Sequence, residues 1–262
     1  MIKRPFFGLA KPKIEYDLSG AGSAPTEVPF PARATFFAEV PYENSDALQI
    51  KVGDVVKAGQ KLVPQAGSSA YVVSAVGGAV SAVTAHTGNF GRKYTAITID
   101  ADPGAETDGG FKDAGSEPSL AAVKDYLQSM PGALPEGLWA EDGRVKTIVV
   151  CGADEDLLCM TRMSVIKNDA DLLKKGVDVL KKICGGSLVV VTAPESMVSA
   201  AGGIGVDVKR IGPAYPAANP YLVARDCLGT TIPAGSAFEA AGVCFISAEA
   251  VAALGAAFDS GT

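Results

Sequence analysis

The segment Leu188-Val189-Val190-Val191-Thr192 has almost no polar position. Alternate side chains of a strand point to opposite faces, so a run that is apolar throughout needs cover on both sides. That is the demand of a central strand in a parallel sheet flanked by helices. The residues before it supply a helix. Between 170 and 184, Leu172, Leu173, Val177, Leu180 and Ile183 share one helical face. Lys174, Lys175, Lys181 and Lys182 lie away from it as a solvated face, and Gly185-Gly186 follows as the stop. Val145–Cys151 reads as a second apolar strand, so strand, amphipathic helix and buried strand make one βαβ unit. Downstream the pattern continues with a helix near 194–201 ending at Gly202-Gly203 and a strand near 206–211. A helix near 219–228, a strand at 243–246 and a last helix opened by Ser247 complete it. Strand order is not readable at this level.

The first half has a different texture. Between 47 and 100, short β-type runs at 48–50, 54–56, 71–73, 79–83 and 96–99 are each bounded by glycine or a polar turn, the pattern of a small all-β unit. Residues 1–45 are rich in Pro, Gly and Ser and are expected to wrap that unit as extended segments. The glycine-rich, acidic stretch at 106–117 has little to bury and reads as a linker. Beyond it Leu120, Val123, Leu127 and Met130 define one helical face, with Ser116 as candidate cap and Pro118 in the first turn.

Composition excludes several functions. A net charge of −6 disfavours non-specific nucleic-acid binding. No run approaches the roughly 20 apolar residues of a membrane span, and Met1–Phe7 leads into charged residues rather than a signal core. The chain is therefore expected in the cytoplasm. Five cysteines are dispersed with no CxxC pair, so neither zinc nor iron–sulfur spacing is present and no metal is expected. Cys151, Cys184 and Cys244 fall in apolar runs and read as buried small hydrophobes. The single histidine, His86, reads as a turn residue with no nucleophile signature near it. Gly202-Gly203-Ile204-Gly205 follows a helix rather than a strand, so it reads as a helix end, not a phosphate cradle.

Two segments resemble a known fold. Lys51-Val52-Gly53-Asp54-Val55-Val56-Lys57-Ala58-Gly59-Gln60-Lys61-Leu62 resembles one half-repeat of the barrel-sandwich hybrid, the fold of lipoyl and biotinyl carriers, and Val73–Val83 resembles its partner. A carrier presents a lysine at the hairpin tip between the halves, and Val63–Val72 contains none. Taken with the α/β half, the chain resembles the C subunit of Rnf electron-transport complexes and the A subunit of the Na+-translocating NADH:quinone reductase (Nqr). The start Met1-Ile2-Lys3, the turn Gly88–Lys93, Gly137-Leu138-Trp139, Gly212–Ala217 and Thr231–Gly235 are similar to motifs of those subunits, in the same order. Cys151–Asp156 occupies the place of a loop that in turn resembles the flavin-binding subunit of complex I.

The resemblance implies an α/β plus all-β protein. Residues 1–105 would form a barrel-sandwich hybrid with an extended N-terminal segment, 106–117 a linker, and 118–262 a three-layer α/β Rossmann-like domain. It implies a peripheral subunit of a membrane redox complex on the cytoplasmic side of the inner membrane. FMN or NADH would be shared with partner subunits, near Gly152, Asp154, Glu155, Asp156 and Tyr215. The family's glycine-rich phosphate loop is replaced here by Pro131–Trp139, and its cysteine-rich iron–sulfur repeats are absent. The implied member is therefore shortened and not catalytic alone, with no catalytic residue to name. Two alternatives remain open: a stand-alone FMN- or NAD-dependent reductase, and a non-catalytic scaffold subunit. The three acids at 154–156 equally read as a solvated loop with a helix cap. Trp139 and Tyr215 read as packing aromatics or as flavin-stacking ones.

Overall fold

The computed structural model describes residues 14–16, 26–42, 48–67, 71–109, 118–128, 144–184 and 188–260. Its chain groups into two units, Thr26–Pro131 with Ala257–Thr262, and Met1–Pro25 with Gly132–Ala256. The Trp139 motif, the Ser116 cap, the Gly185-Gly186 stop and residues 110–117 of the expected linker lie outside the described residues.

In the unit built on residues 26–131, the strands are β1 (Arg33–Ala38), β2 (Val55–Val56), β3 (Lys61–Leu62), β4 (Val72–Val73), β5 (Gly78–Thr87) and β6 (Lys93–Ala101). Four of them form an antiparallel sheet in the order β1-β6-β5-β2, and β3 pairs with β4. The sequence drives this through two turns of the same design. Asp54 N–H donates to the Lys51 carbonyl, while the Asp54 carboxylate accepts the Lys51 N–H at 2.8 Å. Gln60 N–H donates to the Lys57 carbonyl, and the Gln60 side chain accepts the Lys57 N–H at 2.9 Å. The third residue of each turn, Gly53 or Gly59, has φ of 94° or 86°, a left-handed conformation that glycine adopts without strain. Both turn glycines then donate across the fold, Gly53 to Val80 and Gly59 to Ser74. Val56, Leu62, Val76, Val80, Ile97 and Ile99 form the core beneath.

Three expectations for this half need correction. Residues 33–38 do not simply wrap the unit: they are a strand of the main sheet, paired with β6 from Arg33↔Asp100 to Ala38↔Thr95. Their inward residues include Ala34, Phe36 and Ala38, and two small alanines give a weak alternation signal. Residues 48–50 make only an isolated bridge, Leu48↔Gln65. His86 lies within β5 rather than in a turn, its ring 4.6 Å from that of Phe37. In the stretch read as linker, the backbone of Glu106 and Asp108 hydrogen-bonds to Ala58. Helix α1 (Leu120–Gln128) buries Val123 and Leu127, and Ser119 accepts the first-turn N–H of Ala122 at 3.2 Å.

The other unit holds β7 (Thr147–Cys151), α2 (Thr161–Asn168), α3 (Ala170–Ile183), β8 (Leu188–Pro194), α4 (Val198–Gly202), β9 (Asp207–Ile211), α5 (Pro220–Leu228), β10 (Val243–Ser247) and, up to Ala256, α6 (Ala248–Ser260). All four strands are parallel, in the order β10-β7-β8-β9. Val149, Cys151 and Val190 pack with Val223 and, at the edge, Cys227 and Leu228 of α5. Ile148, Val150, Val189 and Val191 point the other way and are equally buried. On α3 the buried side chains are Leu173, Val177, Val179 and Leu180, while the four lysines are exposed. A Cβ on Gly176 of α3 would strike the Val251 carbonyl of α6, and one on Gly255 would strike the Leu172 carbonyl, so these helices approach backbone to backbone. Asn219 caps α5 with Pro220 behind it and Gly229, at φ 67°, ends it. Ser247 accepts the Ala250 N–H and opens α6 as its sequence position suggests. Among the described residues, no helix is long and apolar enough to cross a membrane.

Candidate functional site

Because its strands are parallel, the α/β unit collects the turns after β7, β8 and β9 at one sheet edge. In open sheets of this kind ligands bind beyond the carboxyl ends of the strands. A cavity of about 340 Å³ lies there, walled by Ala153 and Asp154 after β7, by residues 194–196 at the end of β8, and by Ile211–Pro213 at the end of β9. Met163 of α2 and Tyr16 close it. Tyr16 arrives from far away in sequence. Glu15 bridges to Ala214, the Tyr16 N–H donates to the Pro213 carbonyl at 3.0 Å, and the Tyr16 hydroxyl accepts the Ala218 N–H at 3.1 Å. Burial pushes that hydroxyl above its ordinary pKa, while the bond from Ala218 works against the rise.

The expected site residues fall in different places. Asp154 is 4% exposed and lines the cavity. Its two oxygens accept the N–H groups of Arg162 at 3.2 Å and Met163 at 3.4 Å, at the start of α2. The local cap position, Met160, has no side chain able to do this, so the cap comes from upstream. Desolvation raises the Asp154 pKa, opposed by those two backbone bonds and by the Arg162 charge. Glu155 instead meets the Arg162 guanidinium at 3.3 Å on the surface side. Asp156 accepts the Leu158 N–H at 3.1 Å and closes its own turn. Gly152 donates to the Thr192 carbonyl at 3.0 Å, and a Cβ there would strike that carbonyl and Ile166, so its smallness serves helix-to-sheet packing. Tyr215 is 43% exposed, edge-on to Tyr16 with ring centres 6.2 Å apart, and is not part of the cavity wall.

Sequence reading missed Tyr16, Met163, Ile211 and Arg162. Arg162 is the most informative of these. It donates to the Ala153 carbonyl and to Glu155, and its Nε lies 3.8 Å from Glu249. Glu155 follows β7 and Glu249 follows β10, so one guanidinium spans the carboxyl ends of those two strands. They are where the strand order reverses, since the chain proceeds from β7 to β8 and β9 on one side and returns to β10 on the other. A dinucleotide normally lies in that crevice with its phosphates on the first helix N-terminus. Here Asp154 already takes two of those N–H groups and Arg162 is shared among three oxygens. The residues present do not fit the phosphate of FMN or NADH at the β7–α2 turn.

The two buried thiols of the sheet, Cys151 and Cys244, are not poised for chemistry at this edge. Cys151 is buried beneath it, its pKa pushed up to about 12 by desolvation, and the Cys244 thiol is raised for the same reason. A thiol held protonated is a poor nucleophile and a poor metal ligand. Among the described residues no three His, Cys, Asp or Glu side chains gather as a metal site would require.

No curated protein matches the chain. Residues 24–104 match the family model for the RnfC barrel sandwich hybrid domain, which makes the β-rich unit a barrel-sandwich hybrid and this part of the chain RnfC-like.

Proposed function

We propose that this protein is a peripheral subunit of an Rnf- or Nqr-like membrane electron-transfer complex, docked on its cytoplasmic side and contributing to electron transfer from NADH or a similar donor without catalysing it alone. The observation that carries this reading is the match of residues 24–104 to the RnfC barrel sandwich hybrid domain. The interval between its halves, Val63–Val72, contains no lysine, so a swinging-arm carrier role has no attachment point. The order β9-β8-β7-β10 corresponds to strands 3-2-1-4 of a doubly wound nucleotide-binding sheet, which supports a Rossmann-like reading of the second unit. Since the β7–α2 turn does not accommodate a phosphate, FMN or NADH would be held through its phosphates by partner subunits. A stand-alone reductase would need those contacts itself and is not favoured. A scaffold with a filled crevice is not favoured either, because the cavity beside Asp154 is open.

Affinity purification of the full chain from its native membranes, at low salt and in mild detergent, tests the reading. The expected result is co-purification with membrane redox subunits and with NADH-dependent dye reduction that the isolated chain lacks. Recovery of the chain only as a free monomer, from both membranes and cytosol, would overturn it.

A further inference from the structure

The cavity at the ends of β7, β8 and β9 differs chemically from the turn that would hold a phosphate. Its walls are Ala153, Met163, Ile211, Pro194 and Pro213, with the Tyr16 ring across one side. Its volume, about 340 Å³, is at the small end of the range for small-molecule pockets, roughly 300–1,000 Å³, and suits one ring system rather than a dinucleotide. The two charged residues among the described lining are both acids, Asp154 and Glu195. Glu195 is held at the rim by Arg210 at 2.7 Å, and both are mostly solvated. Asp154 lies inside, with its oxygens turned to α2, and a carboxylate oxygen that accepts one N–H retains a lone pair for a second donor. An anion entering this space would meet a buried carboxylate whose cationic neighbour, Arg162, is outside the lining and already engaged by Ala153, Glu155 and Glu249.

We infer that this cavity is a binding site for a flat, uncharged ring compound that carries no phosphate, seated between Met163 and Tyr16 and offering an N–H or O–H to Asp154. The inference concerns the α/β unit and holds whether or not the chain docks to a redox complex. Asp154 has two tasks in it. It caps α2, and in doing so it withdraws from any ligand the N–H groups that would otherwise recruit a phosphate.

A pair of probes with one ring and different tails tests this. Lumiflavin is the bare uncharged isoalloxazine, and FMN is the same ring with a phosphorylated side chain. The full chain, titrated with each while flavin fluorescence is followed, should bind lumiflavin at least tenfold more tightly than FMN. In Asp154→Asn, which keeps a capping oxygen without the charge, the gap should narrow several-fold. In Asp154→Ala, which frees the α2 N–H groups, it should narrow further or reverse. Ala153→Leu, which adds volume to the wall beside the cap without removing the capping carboxylate, should abolish lumiflavin binding while leaving the circular dichroism spectrum unchanged. FMN binding as tightly as lumiflavin to the unmodified chain, binding of neither probe, or lumiflavin binding that survives Ala153→Leu would each overturn the inference.

Discussion

Asp54 in the β unit and Asp154 in the α/β unit perform the same elementary task, accepting backbone N–H groups at the start of a structural element, but under opposite conditions. Asp54 reaches back three residues to Lys51 in an exposed turn. Asp154 reaches forward eight and nine residues to α2 from a buried position. The first closes a loop whose entropy cost is small and whose residues are contiguous; the second organises a helix from a distance and gives up hydration to do it. The β unit is held at its turns by local chemistry. The α/β unit depends on approaches between segments far apart in sequence, of which Gly176 against Val251 and Tyr16 against Ala218 are the clearest.

The contrast breaks first, if it breaks, at Gly176. Gly176→Ala should destabilise the protein by about 3 kcal/mol, because the new methyl meets a carbonyl that belongs to another helix and cannot rotate away. Urea unfolding measures the loss, and hydrogen exchange should show it concentrated in β7–β10 while β1, β5 and β6 keep their protection. Uniform loss of protection in both units would undo the division drawn above.

Asp154→Ala comes next, at about 2 kcal/mol, since it strips a cap from a helix whose own cap position is Met160. This residue also sharpens the comparison through pH. Its folded-state pKa is raised by desolvation, so the folded protein holds the proton more tightly than the unfolded chain. The resulting stabilisation is full below the ordinary carboxyl value and is lost as pH rises through the raised folded value. Asp154→Asn should remove that decline, so the difference in stability between variant and parent should grow in the variant's favour on going from acid to neutral pH, as followed by thermal denaturation.

Gly53→Ala should cost less, about 1 kcal/mol. A Cβ there meets nothing within 4 Å, and only the φ of 94° resists it. A loss as large as at Gly176 would mean that the turn is more than a local device. The smallest effect belongs to the exposed pair Arg33–Asp100, 2.8 Å apart with both side chains more than half exposed. Arg33→Ala should leave the melting temperature unchanged within error, because an exposed ion pair gains little over its hydrated partners.

Legibility in the sequence follows the same divide. The helix at 170–184, the strand at 188–192, the Ser247 start and the glycine-marked turns were readable because each is set by neighbours within a turn or two, through periodicity, capping or positive φ. Helix α2 was not, since it buries only Met163 and Ile166 and takes its cap from Asp154. Strand β1 was obscured by alanines that alternate without contrasting strongly. Of the site, the acids at 154–156 were visible as a cluster at a strand end, yet nothing local distinguishes the one that turns inward from the two that face solvent or close a surface turn. Tyr16 carries no sequence signal for a wall of a cavity some two hundred residues away, its partner Ala218 lying at a separation of 202.

By itself, the sequence determined the two textures of this protein: glycine-punctuated β turns in the first half, and apolar strands alternating with amphipathic helices in the second. Both arise from interactions over a few residues, where side-chain spacing and backbone freedom suffice. Only the tertiary structure decided that the strand order runs β9-β8-β7-β10, that Asp154 faces α2, that Arg162 spans the ends of β7 and β10, and that a cavity opens beside them. Those features depend on which remote segments become neighbours, and that is settled by burying every apolar face at once rather than by any one stretch of chain.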